Sequence, residues 1–103
     1  MAQVDVVIVN YNAGDYLKAC IAGLQAQGMA DYRAIIIDNA SEDGSIDALG
    51  PLDDRFTIVL NTENTGFAAA CNQGAALGSA PWIAMLNPDA EPSPDWLQTI
   101  IAC

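Results

Sequence analysis

The sequence predicts an α/β fold in which helices cover both faces of a parallel sheet, giving three layers. Four apolar strand segments alternate with helical segments, which is the pattern of a parallel sheet. The first two strand segments, 4–9 and 32–37, are rich in β-branched residues and nearly continuous, as in strands that are buried on both faces. The 103 residues are the length of one small domain, and 52% of them are hydrophobic, which suffices for a core.

The spacing of apolar residues and the positions of glycine and proline define the other elements. A helix is predicted from about Asp15 to Gly28, and its apolar face is formed by Tyr16, Leu17, Cys20, Ile21 and Leu24. A short helix through Ile46 and Leu49 precedes a third strand at 56–60. The next helix, 67–77, has many small residues, and its shared face is Phe67, Ala70, Cys71, Gly74 and Leu77.

The fourth strand and the last helix complete the pattern. The strand, 82–86, is apolar and predicted to be buried, and a helix begins near Asp95 with an apolar stripe of Trp96, Leu97, Ile100 and Ile101. Right-handed crossovers place strands 1, 2 and 3 progressively outward, and a return of strand 4 beside strand 1 gives the order 3-2-1-4. Ligands bind at the switch point of such a sheet, outside the carboxyl ends of its strands.

Charge and composition exclude several classes of function. The chain has thirteen acidic and three basic residues, for a net charge of −10. Such a surface repels nucleic acid. The chain has no histidine, which excludes Ser-His and Cys-His catalysis, and its three cysteines are too widely spaced for a metal site, so we interpret Cys20 and Cys71 as small buried hydrophobes. No apolar run reaches the roughly 20 residues of a membrane span. The N-terminus lacks a signal-peptide pattern, and we expect a cytoplasmic location.

Polar residues follow each predicted strand at the edge where ligands bind. These groups are Asn10-Tyr11-Asn12, Asp38-Asn39, residues 61–66 and Asn87-Pro88-Asp89. Asparagine and aspartate favour loops in any protein. Their recurrence after four nearly apolar strands nevertheless indicates a polar site. No glycine-rich dinucleotide fingerprint and no P-loop motif is present.

Each of these residues has a structural alternative to a binding role. Asp38 either accepts hydrogen bonds from a base or sugar, or forms an Asx turn or helix cap. Residues 64–66 either offer N–H groups to a phosphate at a helix start or form an ordinary cap. Asn72 is either a ligand contact or a satisfied structural amide. Asp89 is either a ligand for Mg²⁺ or Mn²⁺, shared with substrate phosphates, or a turn acid.

Five segments in series resemble the N-terminal half of family 2 glycosyltransferases, in their rhamnosyltransferase-like branch. The segments are 7–12, 37–45, 64–74, 86–89 and 94–97, so the likeness covers nearly all of residues 1–103. The resemblance implies the GT-A fold, a Rossmann-like nucleotide-binding half, and transfer of a sugar from a nucleoside diphosphate sugar with inversion. It implies that the nucleotide contacts Val9, Asn10, Tyr11, Asp38, Asn39, Gly66, Phe67, Asn72 and Asn87, and that Asp89 binds Mg²⁺ or Mn²⁺.

Two departures from the family pattern shape these expectations. Asn87 stands where the family's D-x-D motif has its first acid, so metal affinity should be weaker than with two carboxylates. No residue matches the general base, which we expect beyond residue 103 together with the half that binds the acceptor, a saccharide or lipid-linked glycan. We therefore expect residues 1–103 to be inactive alone. We expect the longer enzyme to work in the cytoplasm or at the inner face of a membrane.

Two further hypotheses remain beside the enzyme. The chain could be a non-catalytic module that binds a nucleotide sugar, or an interaction domain of the same fold. If the acceptor half is absent, strand 4 is an open edge and the apolar stripe of the last helix loses its cover. We therefore expect self-association through strand 4 and the C-terminal helix.

Overall fold

The computed structural model describes residues 2–28 and 31–102, without the side chains of residues 101 and 102. Its elements follow the predicted alternation of strands and helices. They are β1 (Val4–Asn10), α1 (Asp15–Gln25), β2 (Tyr32–Asp38), a 3-10 turn (Asp47–Leu49), β3 (Phe56–Leu60), α2 (Phe67–Leu77), β4 (Trp82–Met85) and α3 (Trp96–Ala102). None of the described helices is long and apolar enough to cross a bilayer.

The sheet is parallel and its strand order is β3-β2-β1-β4, which confirms the predicted topology. Asn10 at the end of β1 pairs with Asp38 at the end of β2, and Asp38 pairs with Leu60 of β3. These three strands therefore end level with one another. The loops that carry the predicted polar groups all leave the same edge of the sheet.

Helices cover both faces of the central strands. All seven residues of β1 are buried, as the β-branched run predicted. On one face, Leu17 and Leu24 of α1 and Leu97 of α3 pack in the same core as the sheet residues Val6 and Ile36. On the other face, α2 lies very close to the sheet because a Cβ at Gly74 would stand only 2.5 Å from Val7 Cγ1. This close approach explains the small residues of α2.

The prediction that the fourth strand is buried was wrong. Trp82, Ile83 and Met85 are 54%, 51% and 49% exposed. β4 pairs only with β1 and is therefore an edge of the described sheet. The expected loss of cover over α3 was also wrong for Leu97, which is fully buried in the core formed by α1 and the sheet. The Leu97 N–H donates to Oε1 of Gln27, two residues after the end of α1. Trp96 and Ile100 are partly buried against the same core.

Four smaller predictions also need correction. Tyr16 is 66% exposed and does not belong to the buried face of α1. The helix α1 ends at Gln25 rather than at Gly28. Phe67 and Leu77 are exposed, so only the middle of the predicted α2 face is buried. Cys20 is buried, as predicted, whereas Cys71 is only partly buried. Cys103 and the side chain of Ile101 lie outside the described residues.

Candidate functional site

A cavity of about 840 Å³ lies at the carboxyl ends of the strands, beside the switch point between β1 and β4. Loops that follow β1, β2, β3 and β4 all contribute to its wall. Seven of the ten site residues predicted from the sequence line it: Val9, Tyr11, Asn39, Gly66, Phe67, Asn87 and Asp89. The topology thus brings together motifs that are as far as 80 positions apart in the chain.

Five further residues line the cavity without having been among the predicted contacts, namely Asn12, Ala13, Tyr16, Asn64 and Pro88. Asn12, Asn64 and Pro88 belong to the motifs that carried the resemblance, so their neighbours in sequence indicated them. Tyr16 was missed because its spacing matched the buried face of α1. Its ring instead joins Tyr11 and Phe67, each more than half exposed, on the cavity wall.

Asn10 and Asp38 stand behind the cavity in a buried polar network. Asn10 Nδ2 donates to Asp38 Oδ1 at 2.9 Å and to Ser45 Oγ at 2.9 Å, with a longer contact of 3.2 Å to Ser41 Oγ. Asp38 Oδ2 accepts from the Ser41 N–H at 3.2 Å, a local bond to the residue three positions on, one further than an Asx turn spans. Asp38 does not cap the 3-10 turn. Within the described chain, Asn10 Oδ1 is buried without a hydrogen-bond partner.

The loop after β1 is held to the loop after β2 by side-chain oxygens. Asn12 has a left-handed backbone, with φ 52°, and its N–H donates to Ser41 Oγ while its Oδ1 accepts from the Glu42 N–H. Asp43 accepts from the N–H groups of Ser45 and Gly14. Hydrogen bonds from Ser45 lower the pKa of the Asp43 carboxyl below its ordinary value. These contacts fix the floor of the cavity near Tyr11.

The N-terminus of α2 opens toward the cavity at Gly66 and Phe67. Gly66 has φ 88°, a left-handed conformation that favours glycine, and no side chain caps the helix. The first backbone N–H groups of a helix have no partner within it and carry partial positive charge. Asn39 Nδ2 donates to Gly66 O at 3.1 Å and holds this turn against the end of β2.

Asp89 is the single carboxylate among the described residues that line the cavity. Its loop is anchored by the contact of Cys20 Sγ with Asn87 O at 3.6 Å and by the bond from the Ala90 N–H to Asn87 O at 3.0 Å. Burial raises the pKa of the Cys20 thiol to about 11, and the negative charge of Asp89 adds to the shift.

Two features are not found among the described residues of the site: a cluster of metal ligands and a contact from Asn72. Across residues 2–28 and 31–102, no group of three or more His, Cys, Asp or Glu side chains is arranged to hold a metal ion. Asn72 is exposed on α2 and lies outside the cavity wall, so the structure does not bring it to the other predicted contacts.

Known proteins resemble this chain along almost its whole length. The family model described as glycosyl transferase family 2 matches residues 5–102. A validoxylamine A glucosyltransferase of Streptomyces hygroscopicus is 31% identical over 102 residues, and a glucosyl-dolichyl phosphate glucuronosyltransferase of Haloferax volcanii is 29% identical over 104. These matches cover 94% and 96% of this chain but only 24% and 33% of the relatives, so the chain spans about a third or less of their length.

Solved structures share the fold at low sequence identity. The mannosyltransferase PcManGT from Pyrobaculum calidifontis, in complex with GDP-Man and Mn²⁺, has a TM-score of 0.87 at 21% identity over 96% of this chain and 31% of its own. S. aureus TarS 1-349 in complex with UDP-GlcNAc has a TM-score of 0.88 at 15% identity, over 99% of this chain and 30% of its own. The fold is thus that of GT-A glycosyltransferases, and the chain belongs to glycosyl transferase family 2.

Proposed function

We propose that this chain is the part of a glycosyltransferase that binds the donor, a nucleoside diphosphate sugar. The observation that carries the proposal is the cavity in which Asp89 and the uncapped start of α2 share one wall with exposed aromatic rings. A nucleoside diphosphate sugar has a planar base and a diphosphate bridge that carries two negative charges. The aromatic rings suit the base, and the helix N-terminus suits the diphosphate.

Residues divide into contacts and supports in this proposal. Val9, Tyr11, Gly66, Phe67 and Asn87 contact the nucleotide, since they line the cavity. Asn10 and Asp38 do not line this cavity; Asp38 instead lines a second cavity of about 430 Å³, from which a base could contact it. Asn39 also lines the cavity, and its Nδ2 donates a hydrogen bond to Gly66 O. Asn72 is exposed on α2 and does not line the cavity, so it would contact only a part of the nucleotide that extends outside the cavity.

The donor atoms of the cavity fit a divalent cation that arrives with the substrate. One carboxylate together with substrate phosphates is a usual way to hold Mg²⁺, and Mn²⁺ accepts the same oxygen ligands. Asp89 supplies that carboxylate, and Asn87 supplies an amide on the same wall. When bound, the cation would offset the charge of the departing diphosphate. We therefore propose that Mg²⁺ or Mn²⁺ binds this chain only together with a nucleotide.

We propose inverting transfer for the longer enzyme. An acceptor hydroxyl attacks the anomeric carbon from the face opposite the diphosphate; the new C–O bond forms as the bond to the diphosphate breaks. The hydroxyl proton passes to a general base, and the nucleoside diphosphate leaves. Asp89 orients the leaving group in this scheme, and it is the single carboxylate of the described wall, so the base belongs elsewhere. Residues 1–103 alone should therefore bind donor without transferring sugar.

The acceptor, branch and location are proposals of the same kind. A relative named for glucosyl-dolichyl phosphate supports a lipid-linked glycan as acceptor, beside a saccharide. A lipid-linked acceptor would place the longer enzyme at the inner face of a membrane, with the donor site in the cytoplasm. The rhamnosyltransferase-like branch rests on the sequence motifs, such as Asn87-Pro88-Asp89 in place of D-x-D.

Calorimetry with UDP, GDP and dTDP, each with and without Mn²⁺, tests the proposal. We expect binding of at least one nucleotide that strengthens with Mn²⁺, and no tight binding of Mn²⁺ alone. Asp89→Asn should abolish the Mn²⁺ dependence, since the carboxylate is lost at nearly constant shape. Glu91→Gln is the matched control, because Glu91 is an exposed acid two residues away that does not line the cavity.

Two results would contradict the donor site. Equal Mn²⁺ dependence in Asp89→Asn and Glu91→Gln would remove Asp89 as the ligand. Absence of binding for all three nucleotides under every condition would favour the alternative, an interaction module of the same fold. Nucleotide binding without any sugar transfer by the longer protein would favour a non-catalytic binding module.

A further inference from the structure

We propose that the side chains of Asn39, Asn61 and Gln73 form an amide clamp that positions the N-terminus of α2 and thereby sets the affinity for a diphosphate. The inference rests on the proposed function, because it assigns the diphosphate to that helix start. Asn61 and Gln73 lie outside the cavity wall. They are therefore positioning residues, which act on the ligand only through Gly66 and the residues that follow it.

Asn61 and Gln73 form the outer part of the clamp through a reciprocal pair of hydrogen bonds. Asn61 Nδ2 donates to Gln73 Oε1 at 3.0 Å, and Gln73 Nε2 donates back to Asn61 Oδ1 at 2.9 Å. Asn61 directly follows β3, and its N–H donates to Asp38 O. Gln73 lies in the second turn of α2. The pair therefore ties the sheet edge to the body of the helix.

Asn39 forms the inner part and reaches the turn that starts the helix. Its Oδ1 accepts from Asn61 Nδ2 at 3.0 Å, from the Thr65 N–H at 3.3 Å and from Thr65 Oγ1 at 3.2 Å. Its Nδ2 donates to Gly66 O at 3.1 Å. Asn39 is only 2% exposed. One buried amide thus joins the outer pair to both residues that precede the first turn of α2.

Polar bonds dominate at this end of α2 because apolar packing is sparse there. Phe67 is 61% exposed, and the first fully buried residue of the helix is Ala70. Gly66, with its left-handed backbone, adds no side-chain contact of its own. Asn64 Oδ1 accepts from the Gly66 N–H at 2.9 Å, and the three amides hold the rest of this turn through Thr65 and Gly66 O.

The variant Gln73→Leu tests the clamp by removing both bonds of the outer pair. We expect faster amide hydrogen exchange at residues 65–70, with exchange in β1 and β2 unchanged. Of UDP, GDP and dTDP, each one that the wild type binds with Mn²⁺ should bind roughly 3- to 30-fold more weakly, the range of energetic coupling between a site and residues that do not touch the ligand. Gln25→Leu is the matched control, since Gln25 is an exposed helical glutamine without a hydrogen-bonded side chain.

A second variant separates the clamp from general loss of stability. Gln73→Glu can still accept from Asn61 Nδ2 but cannot donate, so both effects should be intermediate. Unchanged exchange at 65–70 in Gln73→Leu, or a uniform rise across the whole chain, would overturn the clamp. If wild type binds no nucleotide, the proposed function fails, while the exchange pattern still decides whether the three amides hold the helix start.

Discussion

Asparagine side chains hold the loops of the candidate site together, each with a different set of partners. Asn10 joins the ends of β1 and β2 through Asp38, while Asn39 joins β2 to the start of α2. Asn12 links the first and second loops through Glu42. An amide both donates and accepts, so it can satisfy loop backbone without adding charge. In a chain of net charge −10, this neutrality keeps the wall of a proposed diphosphate site from becoming more negative.

Cys20 offers a residue-scale prediction because its thiol is buried behind the loop of Asp89. Since its pKa is about 11 instead of the ordinary 9.0, we expect alkylation at pH 8 to be roughly a hundredfold slower than for an unperturbed thiol, because the thiolate is the reactive form. Mass spectrometry after iodoacetamide treatment should find Cys71 modified before Cys20. Denatured protein is the control, in which both should react quickly.

The same shift has a consequence for stability at high pH. The pKa of the folded state lies above that of the unfolded state, so the neutral thiol stabilises the fold fully below pH 9.0. This stabilisation is lost as the pH rises from 9.0 to about 11. For the alkylation prediction above, rapid labelling of Cys20 in folded protein at pH 8 would be the contradicting result, since it would show that the loop does not shield the thiol.

At the scale of elements, α2 combines tight packing in its middle with an open first turn. Gly74 lies against Val7 and Ile37, and a methyl group added at its Cα would stand only 2.5 and 3.3 Å from their Cγ1 atoms. A larger residue there would push the helix away from the sheet. The helix start would move with it, and so would the N–H groups at the cavity. Close packing of α2 is therefore a condition for the geometry of the site.

The variant Gly74→Ala should destabilise the protein despite the higher helix propensity of alanine. We expect a loss of about 1–3 kcal/mol from overpacking, reduced by about 1 kcal/mol of propensity gain. Urea unfolding followed by circular dichroism measures the net change. Ala76→Val, on the exposed side of α2, is the control and should change stability by less than about 1 kcal/mol. A gain in stability for Gly74→Ala would show that α2 can move outward freely.

At the scale of the whole molecule, charge and apolar surface are separated. Acidic residues outnumber basic ones by thirteen to three, yet residues 81–86, which include β4, contain no charge. The side chains of Trp82, Ile83 and Met85 are about half exposed along this edge. Two copies of the chain repel each other over most of their surface, whereas this edge and the opposite edge strand β3 carry no charge. An uncharged open strand is also a template for pairing with another strand.

We therefore predict that residues 1–103 self-associate through β4 at high concentration. Ile83→Lys should return the chain to a monomer, because a charge on an edge strand opposes pairing. Leu60→Lys, on the opposite edge strand β3, is the matched control and should leave association unchanged. Sedimentation velocity over a range of concentrations measures the state. A monomeric wild type at the highest concentration would contradict the prediction.

Predictions that rest on local sequence signals were correct, whereas predictions that depend on contacts between distant segments were less successful. The bounds of β3 and α2 could be predicted because local signals set them: a β-branched run, and a helix between Gly66 and Gly78. Tyr16 and Leu97 could not be placed correctly from spacing alone. Helical periodicity identifies a face but not its neighbour, and the neighbours here are the cavity and the end of α1.

The sequence by itself determined the alternation of elements, the strand order and the motifs that gather at one edge of the sheet. The alternation and the motifs follow from hydrophobic periodicity and turn chemistry, which act locally along the chain. The strand order follows from right-handed crossovers together with the return of strand 4 beside strand 1. Only the tertiary structure decided that Asp38 lies behind the cavity wall, that Asn72 lies outside it and that Asn39, Asn61 and Gln73 meet. Such contacts depend on the direction of each side chain once distant segments pack, and no local pattern encodes that direction.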